Sequence, residues 1–250
     1  LTYGRNAAVI AVSDEVCSTV SERYRGAVQS VVHGVDLPAV RRQLDHRRAV
    51  RDELGLTDAD IVIGIVANLR SQKAYPDLLA AARLVVDANP IVTFVAVGQG
   101  PDEADLHRLH GELGLGDRFR FLGMRLDALR VMAGFDIFTL SSVHEGLPVA
   151  LMDALALGLP VVATDIGGIP EALTGGRDGV LVPPGRPDLL AAELLRVSGD
   201  RQVRSALAIR AAKRGLDFDM RRAIERIEGS YTDVLESGAL LASHRGGGGK

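Results

Sequence analysis

Hydrophobic residues fall along this chain in short unbroken runs, separated by longer stretches where they recur every third or fourth position. IVIGIVA (61–67), IVTFVAV (91–97), FDIFTL (135–140) and PVVAT (160–164) do not alternate with polar residues, the mark of strands covered on both faces. AAVIAVS (7–13), VQSVVHGVD (28–36), RFRFLGM (118–124) and GVLVPPG (179–185) read as further strands. Helices are predicted over 14–24 with Ser13 as cap, 38–56, 74–90, about 102–113 and within 126–136. They are also predicted from Pro148 to Leu157 and over 187–197, 200–214 and 219–236. This alternation predicts an α/β fold, a Rossmann-like parallel sheet flanked by helices.

The most apolar stretch, residues 146–164, is long enough to raise the question of a membrane span. Pro148, Asp153 and Pro160 interrupt it, and a buried helix followed by a strand accounts for it better. It is also the stretch with the clearest candidate chemistry. Glu145 precedes the helix and Asp153 lies within it, eight residues on, about 12 Å of rise and about 80° of turn if all were helical. Between them falls a helix start, whose free amides at Gly146 and Leu147 form a seat for phosphate. Acid, anion seat and second acid suit the hydroxyls and pyrophosphate of a sugar nucleotide. The alternative is a loop charge and a solvated helix residue. Asp153, however, sits among Val149, Ala150, Leu151, Met152, Ala154 and Leu155, where a carboxylate needs a partner or water.

Ligands of such sheets bind beyond the carboxyl ends of strands. Asn68, Arg70 and Lys73 follow IVIGIVA there, and Gly98-Gln99-Gly100 follows IVTFVAV. The third glycine of a dinucleotide fingerprint would fall at Glu103, so a nicotinamide-cofactor domain is not supported. The arginines of 38–56 are mixed with acids and read as a solvated face.

Composition narrows the classes. With 47% hydrophobic and 24% charged residues the 250-residue chain can bury a core. A net charge of −3 and the absence of tryptophan argue against nucleic acid as a partner. One cysteine, Cys17, excludes an intrachain disulfide and suits a reducing compartment, so the expected location is cytoplasmic. No signal peptide is evident. The chain opens on Leu1 rather than Met, which points to a fragment boundary.

Residues 145–161 resemble the C-terminal domain of retaining GT-B glycosyltransferases of family 4, whose pattern is E-G-x-x-x-x-x-x-E-A-x-A-x-G-x-P-V. Glu145, Gly146, Ala154, Ala156, Gly158, Pro160 and Val161 stand in register, and Asp153 replaces the second glutamate. Lys73 matches the lysine of the family's G-R-L-x-x-x-K-G; Asn68 occupies its arginine position, with Arg70 two residues later. Gly167, Gly168, Pro170 and Glu171 match G-G-x-P-E, and His33-Gly34-Val35-Asp36 stands at the N-G-V-D that ends the interdomain crossover, with His33 replacing the Asn. The resemblance implies a nucleotide-sugar donor with Arg70, Lys73 and Glu145 catalytic. Donor contacts would come from Asn68, Gly98, Gly100, Met124 (beside the nucleobase), Gly146, Leu147 and Asp153. It implies no metal or other cofactor. Asp217-Phe218-Asp219 spells the D-x-D of metal-dependent glycosyltransferases but precedes a helix, where Asp is a cap.

On this resemblance residues 1–36 would end an acceptor domain and its crossover, 37–237 would bind the donor, and 238–250 would be a flexible tail. The partners implied are the nucleotide sugar and a missing N-terminal acceptor domain, with peripheral membrane association of a full-length enzyme left open. A second reading, a non-catalytic binding or interaction module of the same fold, is favoured by Asn68 and Asp153.

Overall fold

The computed structural model describes residues 9–20 and 28–245. The strands are β1 (Val9–Ala11), β2 (Val28–Ser30), β3 (Ile61–Val66), β4 (Val92–Val97), β5 (Phe119–Phe121), β6 (Ile137–Leu140), β7 (Val161–Thr164) and β8 (Val180–Val182). The helices are α1 (Asp14–Ser18), α2 (Leu37–Arg42), α3 (Arg47–Glu53), α4 (Tyr75–Ala88), α5 (Glu103–Glu112) and α6 (Ala128–Met132). They continue with α7 (Val149–Ala156), α8 (Ile169–Ala172), α9 (Pro187–Gly199), α10 (Arg201–Gly215) and α11 (Met220–Arg245).

β3 to β8 form one parallel six-stranded sheet in the order β5-β4-β3-β6-β7-β8. The Rossmann-like sheet flanked by helices is therefore the fold observed. The unalternating runs become its middle. All residues of β4, β6 and β7 are buried, as are all of β3 except Val66, because helices cover both faces. α4 contributes Leu78, Leu79, Ala82, Val85 and Val86 to that core and packs against α9, while α7 packs against α10. β1 and β2 pair separately and in parallel. They connect to the large unit through Val35, whose amide bonds to the Phe218 carbonyl at 2.8 Å.

The chain leaves β3 towards β4 and β5 on one side, then returns to β6 on the other side of β3. The order of strands reverses between β3 and β6, and that gap opens a crevice at their carboxyl ends.

Several expectations change. The helix expected over 38–56 is broken by a 3-10 turn, Gln43–His46, and its arginines are not all on a solvated face. Arg51 is 3% exposed, and both Arg47 and Arg51 bond to the Asp136 carboxylate. That carboxylate also accepts the Val62 amide at 2.8 Å, so the arginines tie α3 to the bases of β3 and β6. The strand expected over 28–36 is reduced to β2 and an isolated bridge at Val35. α11 runs on to Arg245, beyond the expected 236. Residues 7–8 of the first expected strand, 21–24 of the first expected helix and 246–250 of the tail lie outside the described residues. No helix among the described residues is long and apolar enough to cross a membrane.

Candidate functional site

Two loops meet over the β3/β6 gap. The first leaves β3 through Asn68 and Arg70, both exposed, and makes a 3-10 turn at Ser71–Lys73. Ala74 then takes a left-handed conformation (φ 46°, ψ 46°) before α4 begins. The second leaves β6 through Ser141 and Ser142 and reaches Glu145. The loops are joined by the Val143 amide on the Gln72 carbonyl (2.9 Å) and by the Ser141 hydroxyl on the Lys73 carbonyl (2.8 Å).

The result brings two expected residues together. Lys73 Nζ donates to Glu145 Oε1 at 2.5 Å, and the Ser142 hydroxyl donates to the same oxygen at 2.6 Å. Both charged side chains are largely buried, at 14% and 7% exposed. Ser142 is itself steadied by Thr164, whose hydroxyl bonds to the Ser142 carbonyl at 2.7 Å. Behind Glu145 the fit depends on glycine. A Cβ on Gly167, which has φ +59°, would lie 2.0 Å from the Glu145 carbonyl oxygen.

Lys73 also lines a cavity of about 470 Å³ with Asn68, Gly98 and Met124. Gln99, Arg125 and the start of α7, Pro148 to Ala150, also line it, with apolar walls from the ends of β3, β4 and β6, whereas Glu145 and Asp153 are not among its lining residues. Pro148 stands at the N-cap, so the helix start faces the cavity through Val149 and Ala150 rather than through Gly146 and Leu147. Leu147 is instead buried in the core. Arg70 and Gly100 line an adjoining hollow of about 370 Å³ with Asn68, Gln99 and Glu103. Arg70 therefore does not stand beside Lys73 on the main cavity, although Asn68 borders both spaces.

Asp153 lies one helical turn beyond Val149. No described residue gives its side chain a hydrogen bond or an ion pair, and burial pushes its carboxyl up to about 6. Burial is the cause: the residue is half-buried, and the neighbouring apolar side chains disfavour its charged form. On the cavity wall Arg125 is held by Asp127 and Glu53 at 2.7 and 2.9 Å. The bond from Arg125, with a further one from Arg130, holds the Asp127 carboxyl well below the usual carboxylate range.

Ser142, Gln99 and Arg125 were not among the expected site residues. Ser142 carried a signal in its position, three residues before Glu145 at the end of a strand. Gln99 lay between the two glycines already singled out. Arg125 carried the same kind of signal, since it follows Met124, which the resemblance placed beside the nucleobase. The D-x-D residues are tied up locally. Asp217 pairs with Arg214 and Asp219 with Arg221, and Asp219 also accepts the Arg221 amide.

A model of the family glycosyl transferases group 1 matches residues 60–200, more than half of the 250. The chain belongs to this family. The matched segment contains Asn68, Lys73, Glu145 and Asp153, so the group 1 resemblance and the crevice coincide. The chain is 35% identical over 172 residues to a D-inositol 3-phosphate glycosyltransferase of Mycolicibacterium gilvum (strain PYR-GCK), covering 68% of this chain and 38% of that protein. It is 31% identical over 208 residues to a 2-deoxystreptamine glucosyltransferase of Streptomyces kanamyceticus, covering 78% and 52%. The chain thus spans about half the length, or less, of these curated relatives. Among solved structures it superposes on Anabaena HepE in complex with UDP-glucose with a TM-score of 0.83 at 25% identity, over 91% of this chain and 64% of that one. WaaG, a glycosyltransferase involved in lipopolysaccharide biosynthesis, shares the fold at 18% identity with a TM-score of 0.78. The group 1 fold here is of the GT-B type.

Proposed function

We propose that this chain carries the donor-binding half of a retaining, metal-independent glycosyltransferase that moves a sugar from a nucleotide sugar to an acceptor. The observation that carries the reading is the Lys73–Glu145 pair at the edge of the crevice where the strand order reverses. A cation, a helix start and a carboxylate converge there, and these are the groups a sugar diphosphate needs.

In this reading the diphosphate lies against Lys73 and the helix start at Val149 and Ala150. Glu145 faces the sugar hydroxyls, Asp153 accepts from the ribose, and the backbone at Met124 borders the base. Transfer breaks the bond from the anomeric carbon to the diphosphate oxygen, and the electron pair departs with the diphosphate. Lys73 stabilises that charge as it develops, and a new bond forms to the acceptor hydroxyl oxygen as its proton passes to the departing diphosphate. The acceptor would be held across the crevice by a separate domain, in line with relatives about twice as long as the matched segment. Cytoplasmic residence, with peripheral contact of the two-domain protein to a membrane, belongs to the same proposal.

A calorimetric panel of UDP, UDP-glucose and NAD tests it. Binding of UDP and UDP-glucose with no response to NAD is the expected result. NAD binding alone would refute it. A second reading, a non-catalytic module that binds the same ligand, draws on Asn68 at the family's arginine position and on the shorter Asp153. It predicts that the complete two-domain protein binds UDP-glucose yet neither hydrolyses nor transfers the sugar.

A further inference from the structure

α1 and α8 are far apart in the chain, yet α8 reaches the first turn of α1. The Glu171 carboxylate accepts two of its amides, Asp14 N on Oε2 at 3.1 Å and Glu15 N on Oε1 at 2.8 Å. Ser13, fully buried, accepts the third, Val16 N, at 3.1 Å. Two of the three opening amides of α1 are therefore satisfied by a residue more than 150 positions away in the chain.

The bonded groups make this contact specific. Asp14 and Glu15 are themselves acidic, so net charge repels Glu171 and only directed hydrogen bonds hold it. Its backbone is fixed independently. Arg214 donates to the carbonyls of Glu171 and Ala172, at 2.9 Å each, and leaves the carboxylate free to reach α1.

The contact continues towards Glu145. The Ser13 Cβ is 3.3 Å from where a Cβ on Gly168 would lie, and Val12 Cγ2 is 3.7 Å from the same point on Gly146. The Gly168 amide bonds to the Gly146 carbonyl at 2.8 Å. Residues 12–15 thus lie on the two glycine loops that carry and back Glu145.

We infer that Glu171 is a positioning residue that docks Val12–Glu15 onto these loops and thereby orients Glu145 towards the sugar of the donor. The second clause rests on the nucleotide-sugar reading; the docking itself does not.

The experiment uses Glu171→Ala and Glu171→Gln in the 250-residue chain, with two readouts. The first is amide hydrogen exchange at Asp14 and Glu15 without ligand. Glu171→Ala should raise it about tenfold or more, the effect of losing a hydrogen bond to a charged group, while exchange in β3 and β4 stays as it was. Glu171→Gln, which keeps one acceptor oxygen, should fall between. The second readout is affinity for UDP and for UDP-glucose. Glu171→Ala should shrink the advantage of UDP-glucose and leave UDP unchanged, with Glu171→Gln restoring part of it. Unchanged exchange at Asp14 and Glu15 would overturn the docking. Faster exchange with the same UDP-glucose advantage would overturn the positioning role and leave a structural tie. A parent chain that binds neither probe would overturn the nucleotide-sugar reading, and the docking would then be decided by exchange alone. Should Glu171→Ala lose β3 and β4 protection as well, the Glu171→Gln comparison decides both points.

Discussion

Lys73 Nζ and Glu145 Oε1 lie 2.5 Å apart, linking the loop after β3 to the loop after β6. Ser142 bonds to the same oxygen, so one face of the carboxylate is committed and Oε2 remains for another partner. A donor entering the crevice would share this pair, its phosphate taking part of the lysine and its sugar hydroxyls donating to the glutamate. Buried ions are costly unless paired, so the pair also keeps each charge in place before ligand arrives.

Replacing Lys73 by Ala should therefore act twice. UDP binding should weaken by about 1.5–3 kcal/mol, the range for hydrogen bonds to charged groups. Folding stability should also fall, because Glu145 is left buried without its cation. Adding Glu145→Gln to Lys73→Ala should recover part of the stability and none of the UDP affinity. Calorimetry with chemical denaturation checks both, and unchanged UDP affinity in Lys73→Ala would remove Lys73 from the anion seat.

Glu145→Gln alone separates sugar from nucleotide. It keeps the shape and an acceptor oxygen but loses the charge that strengthens bonds to hydroxyls. The advantage of UDP-glucose over UDP should drop by about 1 kcal/mol or more, with UDP binding nearly unaltered. Equal losses for both ligands would mean that Glu145 faces the phosphates.

The fold was legible because its central strands are unalternating apolar runs, and Gly64 within β3 did not disguise one. The pairing of Lys73 with Glu145 was only half legible. Each was recognisable in its motif, but their contact depends on β3 and β6 being neighbours although β4 and β5 lie between them in sequence. Arg51 misled for a related reason. Its local surroundings are charged, while Gly134 and Asp136, two of its partners, are brought to it from more than 80 positions along the chain by tertiary structure. Arg70 shares a hollow with Asn68 but not the cavity with Lys73, because the chain turns at Leu69, where the Arg70 amide bonds back to the Asn68 carbonyl at 2.9 Å.

Ala74 offers a test of the loop itself. It holds a left-handed conformation at the position where the family pattern has glycine. A side chain there costs about 1–2 kcal/mol, against about 0.4–1 kcal/mol gained by restricting the unfolded chain. Ala74→Gly should stabilise the fold by up to about 1 kcal/mol in urea denaturation. A loss of stability would show that the methyl group, which is buried, contributes more by packing than the conformation costs.

Asp153 couples stability to binding, with opposite signs. Burial raises its carboxyl to about 6, against about 3.9 in an unfolded chain. Between these values the native state binds more protons than the unfolded one, so stability declines as pH rises from about 4 to about 6 and then levels off. Two units correspond to at most about 3 kcal/mol at neutral pH, and an uncharged amide in the same place recovers only part because it too lacks partners. Asp153→Asn should therefore be about 1–2 kcal/mol more stable than the parent at pH 7.5, the difference closing towards pH 4. A ribose hydroxyl donating to Asp153 needs the charged form, so parent affinity for UDP-glucose should fall as pH drops through about 6. UDP-glucose is the suitable probe because its diphosphate has no free terminal phosphate to titrate in that range. Asp153→Asn should bind it more weakly at pH 7.5 and with less dependence on pH. A variant that is more stable yet binds UDP-glucose as the parent does would show that Asp153 is a buried cost with no ribose contact to offset it.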